Sequence, residues 1–187
     1  MLAAEAHARI TNLDTSAALA VPGVFDLDLG TYMRPGPQRA WVVGGTEPAC
    51  DPMDWIEDPD AVDQHVTTAR WESQVTRAAR RLPELLVPNR PSGVVGVYDV
   101  ADDWTPIYDR TEADGFYVAM GTSGNQFKNA PLAGCFLAAI VEACESGHDH
   151  DVEPVTYVGE HTGVKINLGA FSRRRAVNAA STRTVLG

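Results

Sequence analysis

The chain has 187 residues, of which 44% are hydrophobic and 21% charged, and it carries a formal net charge of −10 at pH 7. This composition is ordinary for a folded domain and excludes a fibre or a disordered chain. The acidic excess argues against a nucleic-acid partner, and the longest apolar run is shorter than the roughly 20 residues that span a bilayer, so no membrane partner is expected.

The cysteines and the amino terminus indicate a reducing compartment. Cys50, Cys135 and Cys144 form no CxxC pair, and the last two lie in an apolar helical pattern that suits buried thiols. The opening "MLAAEAHARI" has no basic stretch followed by an apolar core, as a secretory signal would. We therefore expect a cytoplasmic protein.

The first part of the chain is typical of strands followed by a long helix. Residues 7–13 can form a strand, and residues 23–36 alternate apolar and polar positions as a half-buried strand does. Residues 39–45 are predicted to form the next strand, after a Pro-Gly turn. Apolar residues recur at helical spacing from Asp60 to about Leu86, which predicts a helix that Pro83 kinks or ends.

The second part returns to strand composition before another helix. Strands are predicted at 94–101, 105–109 and 115–121, a helix at 127–145, a strand pair or extended arm at 155–172, and a short final helix at 173–181. The basic run "SRRR" within that end is expected to be a solvated surface feature.

A glycine-rich turn joins the last predicted strand to its helix, in the stretch "MGTSGNQFKNAPLAG" at 120–134. Strand, tight turn and helix leave free backbone N–H groups at the positive end of the helix dipole. Gly121 and Gly124 lack the Cβ that would hold a ligand away, so a partly anionic group could approach. The alternative is an ordinary helix start capped by Thr122 or Ser123, with no ligand.

These motifs, in this order, resemble a known family. "GVYDVADDWTPIYD", then "GFYVAMGTSGNQFKNAPLAG", then an apolar helix is similar to the carboxy-terminal part of the D-amino-acid oxidase family, nearest its sarcosine oxidase and dimethylglycine oxidase branch. The upstream stretches "PGVFDLDLGTYMRPG" and "AWVVGGTE" are similar to that family's substrate-domain strands. The resemblance covers most of residues 5–175.

The resemblance implies a fold and a division of the chain. We expect an α+β (α/β) protein, with a mixed-sheet substrate domain in residues 1–92 and the carboxy-terminal strands and helix of a FAD-binding domain in residues 93–187. No GxGxxG motif follows a strand near the amino terminus, although that motif binds the ADP half of FAD. A nucleotide-binding segment or subunit that carries it is therefore an expected partner.

The resemblance also implies a cofactor and its contacts. FAD would place the pyrimidine edge of its flavin ring against the glycine-rich turn. The expected cofactor-binding residues are Gly96, Gly121, Thr122, Ser123, Gly124, Asn125, Gln126, Phe127 and Lys128. Gly96 stands where some relatives carry a cysteine bonded to flavin, so the expected FAD is non-covalent. Gln126 replaces the second glycine of the family's SGxGFK pattern.

The substrate side is implied in the same way. Lys128, Tyr32 and Arg34 are the expected catalytic residues, and Tyr32, Arg34 and Thr46 the expected substrate contacts. Arg34 lies two residues after Tyr32, on the same strand face, and a guanidinium there binds a carboxylate well. Thr46 stands where some relatives have a histidine. The alternatives are a structural tyrosine with a surface arginine, and a surface lysine in an unfavourable first helical turn.

The expected function is part of a FAD-dependent oxidoreductase that oxidises C–N bonds of amino acids or N-methylated amines. The alternative is a non-catalytic remnant of the same fold that no longer binds FAD alone. A metal site at His148 and His150 is disfavoured because "HDHD" is typical of a polar surface loop. Ser123 lies in no G-x-S-x-G motif, so hydrolase chemistry has little support.

Overall fold

The structure is a computed structural model that describes residues 23–36 and 40–184. The chain forms two compact units, Met1–Val95 and Gly96–Gly187. Helices and small antiparallel sheets together make an α+β fold, as the sequence predicts. The predicted strand at 7–13 lies outside the described residues.

The first unit contains a three-stranded antiparallel sheet. Its strands are β1 (Val24–Asp26), β2 (Thr31–Pro35) and β3 (Trp41–Gly45), in the order β1-β2-β3. The prediction of a single strand over 23–36 is wrong, because a turn at 27–30 separates β1 from β2. The Asp26 carboxylate accepts the Leu29 N–H at 3.0 Å, and Gly30 takes a φ of +59°, which together reverse the chain.

Helix α1 (Thr68–Arg81) is shorter than the predicted span of 60–86. Its start is set by Thr67, whose hydroxyl accepts the Arg70 N–H at 3.2 Å. Its end comes just before Pro83, because the residue before a proline disfavours helical geometry. The apolar spacing therefore runs past both ends of the helix.

Arginines of α1 connect the helix to the rest of the first unit. Arg77 pairs with the buried Asp51 at 2.5 Å, and Arg70 pairs with the same carboxylate. Arg81 pairs with Asp26 in the turn between β1 and β2. Burial works to raise the pKa of Asp51, but hydrogen bonds from the two arginines outweigh it and hold that pKa below its usual range.

The second unit packs one helix against two hairpins. It comprises β4 (Ile107–Arg110), β5 (Tyr117–Met120), α2 (Ala130–Glu145), β6 (Thr156–Val158) and β7 (Lys165–Asn167). The pairs β4-β5 and β6-β7 are antiparallel. The core contains Tyr108, Phe136, Ile140 and Leu168. The predictions of strands at 105–109 and 115–121, a helix after the glycine-rich turn and a later strand pair are therefore confirmed.

The apolar stretch Phe127–Glu145 joins a three-ten turn (Phe127–Asn129) to α2. By length and composition alone it is long and apolar enough to cross a membrane, and little of it is buried. Core helices of folded proteins pass the same test, so this observation does not by itself indicate a membrane span.

Two predicted elements of the second unit are wrong. Residues 95–101 do not form a strand; Val94 makes an isolated bridge with His65, and the backbone beyond it bonds to the glycine-rich turn. Residues 173–181 form turns rather than a helix. Carboxylates elsewhere in the unit accept backbone N–H groups of this segment, so those groups are not used for helical bonds.

Residues 172–181, named here the C-terminal clasp, bind two buried carboxylates. Arg173 pairs with Asp109 at 3.0 Å, and Arg175 pairs with Asp103 at 2.6 Å. The Asn178 N–H adds a bond of 2.9 Å to Asp103. The expectation that the basic run is a solvated feature is therefore wrong for Arg173 and Arg175, whose charges neutralise buried aspartates.

His150 is buried beside this cluster. Its Nδ1 accepts the Val155 N–H at 3.0 Å, whereas its Nε2 lies 3.6 Å from Asp109 and has no hydrogen-bond partner among the described residues. Burial lowers the pKa of His150, and the attraction of Asp109 opposes this only in part. The folded state therefore favours the neutral imidazole.

Replacing Ile140 by alanine should destabilise the second unit by about 2–5 kcal/mol, because the fully buried side chain would leave a cavity. Leu132→Ala in the same helix is the control, since that side chain is 41% exposed and should cost much less. Urea unfolding measures both changes. Equal losses for the two variants would contradict the assignment of the core.

The stability of the second unit should fall as pH drops below about 6.5, the ordinary histidine pKa. The unfolded chain takes up a proton there that the folded His150 resists, since its pKa is lowered by burial. The slope contributed by this residue is at most about 1.4 kcal/mol per pH unit. Unfolding titrations of His150→Asn should show a shallower dependence, and those of the exposed His161→Asn should not.

Candidate functional site

The candidate site is the glycine corner, which is residues 121–126 between β5 and the three-ten turn that precedes α2. Three of its residues have left-handed backbone geometry: Gly121 at φ +67°, Ser123 at +50° and Gly124 at +71°. Glycine adopts this geometry without strain, but serine does so at a cost. Ser123 is fully buried, and its hydroxyl donates to the Gly121 carbonyl at 3.2 Å.

The segment 98–101 fills the space beside both glycines. A Cβ on Gly124 would lie 2.6 Å from the Tyr98 ring, and one on Gly121 would lie 3.0 Å from the Ala101 Cβ. The sequence alone suggests that the missing Cβ atoms make room for a ligand. In the structure they make room for the chain itself, so a ligand would meet the corner from another side.

Asp99 holds the corner through three hydrogen bonds. Its carboxylate accepts the Gly121 N–H at 2.8 Å and the Thr122 hydroxyl, and its backbone carbonyl accepts the Ser123 N–H at 3.0 Å. Burial works to raise the pKa of Asp99, but the bonds from Thr122 and Gly121 outweigh it and hold that pKa below its usual range. Asp99 is therefore an anion bound within the corner.

The two amide side chains of the corner bond mainly within the protein. The Gln126 Oε1 accepts the Tyr108 hydroxyl at 2.9 Å and the Asn129 amide at 3.1 Å. Its Nε2 donates to the Asn125 Oδ1. The predicted cofactor donors Asn125 and Gln126 thus also connect the corner to the core strand β4.

The helix start beyond the corner is open to a ligand. Neither Gln126 nor Asn129 supplies a side-chain cap, but the Asn129 and Ala130 N–H groups bond to the Gln126 and Phe127 carbonyls and Pro131 has no N–H. The N–H groups that this end offers to a ligand are therefore those of Phe127 and Lys128. Phe127 is 98% exposed, and Lys128 is exposed with no ion pair to a described residue. At Gly96 a Cβ would meet open space, so a side chain could be accommodated there.

The predicted substrate residues lie in the sheet of the first unit. Tyr32 and Arg34 are on the face of β2 opposite the buried Thr31 and Met33. The Tyr32 ring covers Gly44 on β3 and lies 5.6 Å from the Phe25 ring.

The side chains of Arg34 and Thr46 differ in how accessible they are to a substrate. The Arg34 guanidinium donates to the carbonyl of its neighbour Pro35 at 3.4 Å and is otherwise exposed. Thr46 is half-buried, and its backbone N–H donates to the Gly30 carbonyl at 3.0 Å. The binding and catalytic roles of all the predicted site residues stay predictions.

Both histidines of "HDHD" bond to nearby backbone. The His148 Nε2 lies 2.7 Å from the Glu153 carbonyl, and His150 accepts the Val155 N–H. Among residues 23–36 and 40–184, no group of three or more His, Cys, Asp or Glu side chains is placed to hold a metal ion.

The roles of Asp99, Asp103 and their partners were not predicted from the sequence. Asp99 lies in a run that alternates as a strand does, and Asp103 lies in the acidic stretch "VADDW". Asp103 pairs with Arg175, 72 positions later, and Asp99 bonds to residues of the corner 22 and 23 positions later; a single sequence does not reveal such pairing.

Gly124→Ala should destabilise the second unit by more than about 1 kcal/mol, because it adds strain at a left-handed residue and a contact with Tyr98. Gly134→Ala is the matched control, since it lies in α2 with open space around it, and should stabilise by roughly 0.5–1 kcal/mol. Thermal unfolding distinguishes them. A Gly124→Ala variant with unchanged stability would contradict the described packing of Tyr98.

A family model described as "DAO: FAD dependent oxidoreductase" matches residues 4–140. That range includes the sheet of the first unit, the glycine corner and most of α2. Neither a curated protein nor a solved structure matches the chain. Because the family match spans well over half of the sequence, the chain belongs to the DAO family of FAD dependent oxidoreductases.

Proposed function

We propose that the chain is the carboxy-terminal half, or one subunit, of an oxidoreductase that oxidises C–N bonds of amino acids or N-methylated amines. The sarcosine oxidase and dimethylglycine oxidase branch is the nearest model for its substrates. The carrying observation is the family match over residues 4–140, together with an uncapped helix start directly after the glycine corner.

The helix start fits one edge of a flavin. The Phe127 and Lys128 N–H groups and the positive end of the helix dipole favour an electron-rich ring edge, and the dipole favours the charge that a reduced flavin gains. FAD, when bound, supplies the acceptor for a hydride from the substrate's C–H bond. Phe127 and Lys128 are the exposed residues at that edge. Gly96 carries no thiol, which supports non-covalent binding.

Cationic side chains would bind and orient the carboxylate of an amino-acid substrate. Lys128 has no competing ion pair with a described residue, and the exposed Arg34 has only a long bond to a neighbouring carbonyl. A charge-assisted hydrogen bond from either group would fix the carboxylate and aim the C–H bond. Tyr32 and the nearby Phe25 ring supply an apolar surface for a methylated amine. Thr46 is the proposed neighbour of the amine.

The nucleotide half of FAD has no recognised binding motif in this sequence. The sequence has no GxGxxG motif, so we propose a separate nucleotide-binding segment or subunit. The outward face of α2, with exposed Leu132, Cys135 and Ala138, is an apolar surface that such a partner would cover. Cys135 is exposed, so the expectation of a buried thiol is wrong there; all three cysteines are nevertheless free thiols, which is consistent with the cytoplasmic location that we propose.

A second candidate is a non-catalytic interaction module of the same fold. It is favoured by the exposed apolar side chains of α2 and by Asp99, which already binds one corner N–H. The two candidates differ in whether the chain binds flavin.

The test is the visible spectrum of the purified chain with FAD, alone and with a co-expressed polypeptide that carries the family's GxGxxG segment. Flavin bands near about 375 and 450 nm that shift on binding, and bleach anaerobically with sarcosine, support the oxidoreductase. No change in the FAD spectrum in either mixture supports the non-catalytic module.

Lys128→Gln should raise the KM for an amino-acid substrate by about tenfold or more, because the substrate loses a charge-assisted contact. Lys165→Gln is the matched control, since the sequence has no other lysine and Lys165 lies on the exposed strand β7. Flavin absorbance verifies that both variants bind FAD. Equal KM values for the two variants would show that Lys128 does not contact the substrate.

A further inference from the structure

We infer that Asp99 is a positioning residue for the glycine corner, and that its fixed negative charge lowers the reduction potential of a flavin bound there. The first statement concerns the chain alone, and the second rests on the proposed function. Each rests on contacts within the second unit.

Asp99 makes three contacts with the glycine corner, which indicate that it positions this turn. Its carboxylate bonds to the Gly121 N–H and the Thr122 hydroxyl, and its carbonyl bonds to the Ser123 N–H. These are consecutive residues, and two of them have left-handed backbone geometry. Without the carboxylate, the strained turn loses the group that holds its first two residues in place.

The C-terminal clasp fixes the segment that carries Asp99. The Trp104 N–H bonds to the Ala101 carbonyl at 2.9 Å, which closes a turn around Asp103. The carboxylate of Asp103 is held by Arg175 and Asn178, and the Ala101 N–H donates to the Ser123 hydroxyl at 3.4 Å. The segment that presents Asp99 to the corner is therefore held on its C-terminal side, at residues 101–104.

The charge of Asp99 differs from that of the other two aspartates. Asp103 and Asp109 are buried and each pairs with an arginine, whereas Asp99 is exposed and forms no ion pair with a described residue; its carboxylate bonds to one N–H and one O–H group. Its negative charge therefore lies against Gly121 and Thr122 of the corner, a few residues before the helix start. A fixed anion there opposes the charge that a flavin edge gains on reduction.

The groups that face Asp99 from the corner are Gly121, Thr122 and Ser123, which do not titrate in the acid range. The acidic side chains that follow on its own segment are the exposed Asp102 and the buried Asp103, whose carboxylate is paired with Arg175 and faces the C-terminal clasp. A titration felt at the Gly121 amide below the usual aspartate range is therefore assigned to Asp99.

The first experiment uses the full chain without flavin. In ¹⁵N NMR, the Gly121 amide shift should titrate with a midpoint below about 3.9, the ordinary aspartate pKa. Asp99→Asn should abolish this titration, and Asp102→Asn should leave it. Hydrogen exchange at Gly121 should be about tenfold faster in Asp99→Ala, since the bond to a charged acceptor is lost.

A Gly121 amide that shows no acid titration in the unaltered chain overturns the inference, even if an Asp99 variant fails to fold. Unchanged titration in Asp99→Asn overturns it as well. A merely structural side chain would alter stability without this low-pH signature.

The second experiment measures the midpoint potential of the FAD-loaded protein. Asp99→Asn should shift the potential to a more positive value, whereas Asp102→Asn should leave it close to that of the unaltered protein. An unshifted Asp99→Asn potential overturns the electrostatic statement. If the Gly121 titration is present but FAD does not bind, the role of Asp99 in positioning the corner stands. The proposed function and the effect of Asp99 on the flavin potential are then both wrong.

Discussion

The second unit depends on the neutralisation of two buried carboxylates by the C-terminal clasp. Asp103 and Asp109 are almost fully buried, and an isolated carboxylate in such a place would be costly. Arg175 and Arg173 supply the countercharges, with backbone N–H groups filling the remaining lone pairs. Removing one partner would leave a buried charge, so these pairs act as a condition for the native arrangement more than as a source of net stability.

Contacts within the chain itself hold the glycine corner in its conformation. Tyr98 and Ala101 occupy the sides of its two glycines, and Asp99 binds its first N–H. What remains for a cofactor is the uncapped helix start at Phe127 and Lys128. Membership of the DAO family explains why a flavin is the expected occupant, and the local geometry identifies the groups that are free to meet it.

The elements that sequence patterns predict well are those whose partners are close in the chain. The hairpin of β4 and β5, and helix α2, follow from alternation and helical spacing within a few residues. The predicted helix start at Asp60 is wrong because the Thr67 cap, rather than the apolar spacing, sets the start of α1. The turn at Asp26 was missed because its side-chain bond to the backbone leaves the alternating pattern intact.

The position of the candidate site was predictable from the sequence, but the hydrogen bonds and ion pairs that hold it were not. Gly121 to Lys128 could be chosen because glycine, amide and lysine residues before an apolar run are a local signal. Asp99 and Arg175 act through contacts separated by more than 20 and 70 residues respectively, and a single sequence carries no record of such pairing.

The separation between Asp103 and Arg175 also has a consequence for synthesis. The two residues are 72 positions apart, so at about 5–20 residues per second a ribosome adds Arg175 roughly 4–14 s after Asp103. During that interval the aspartate has no arginine partner and must remain hydrated. The corner that it helps to support can therefore reach its final form only late in translation, after strands β6 and β7 have been made.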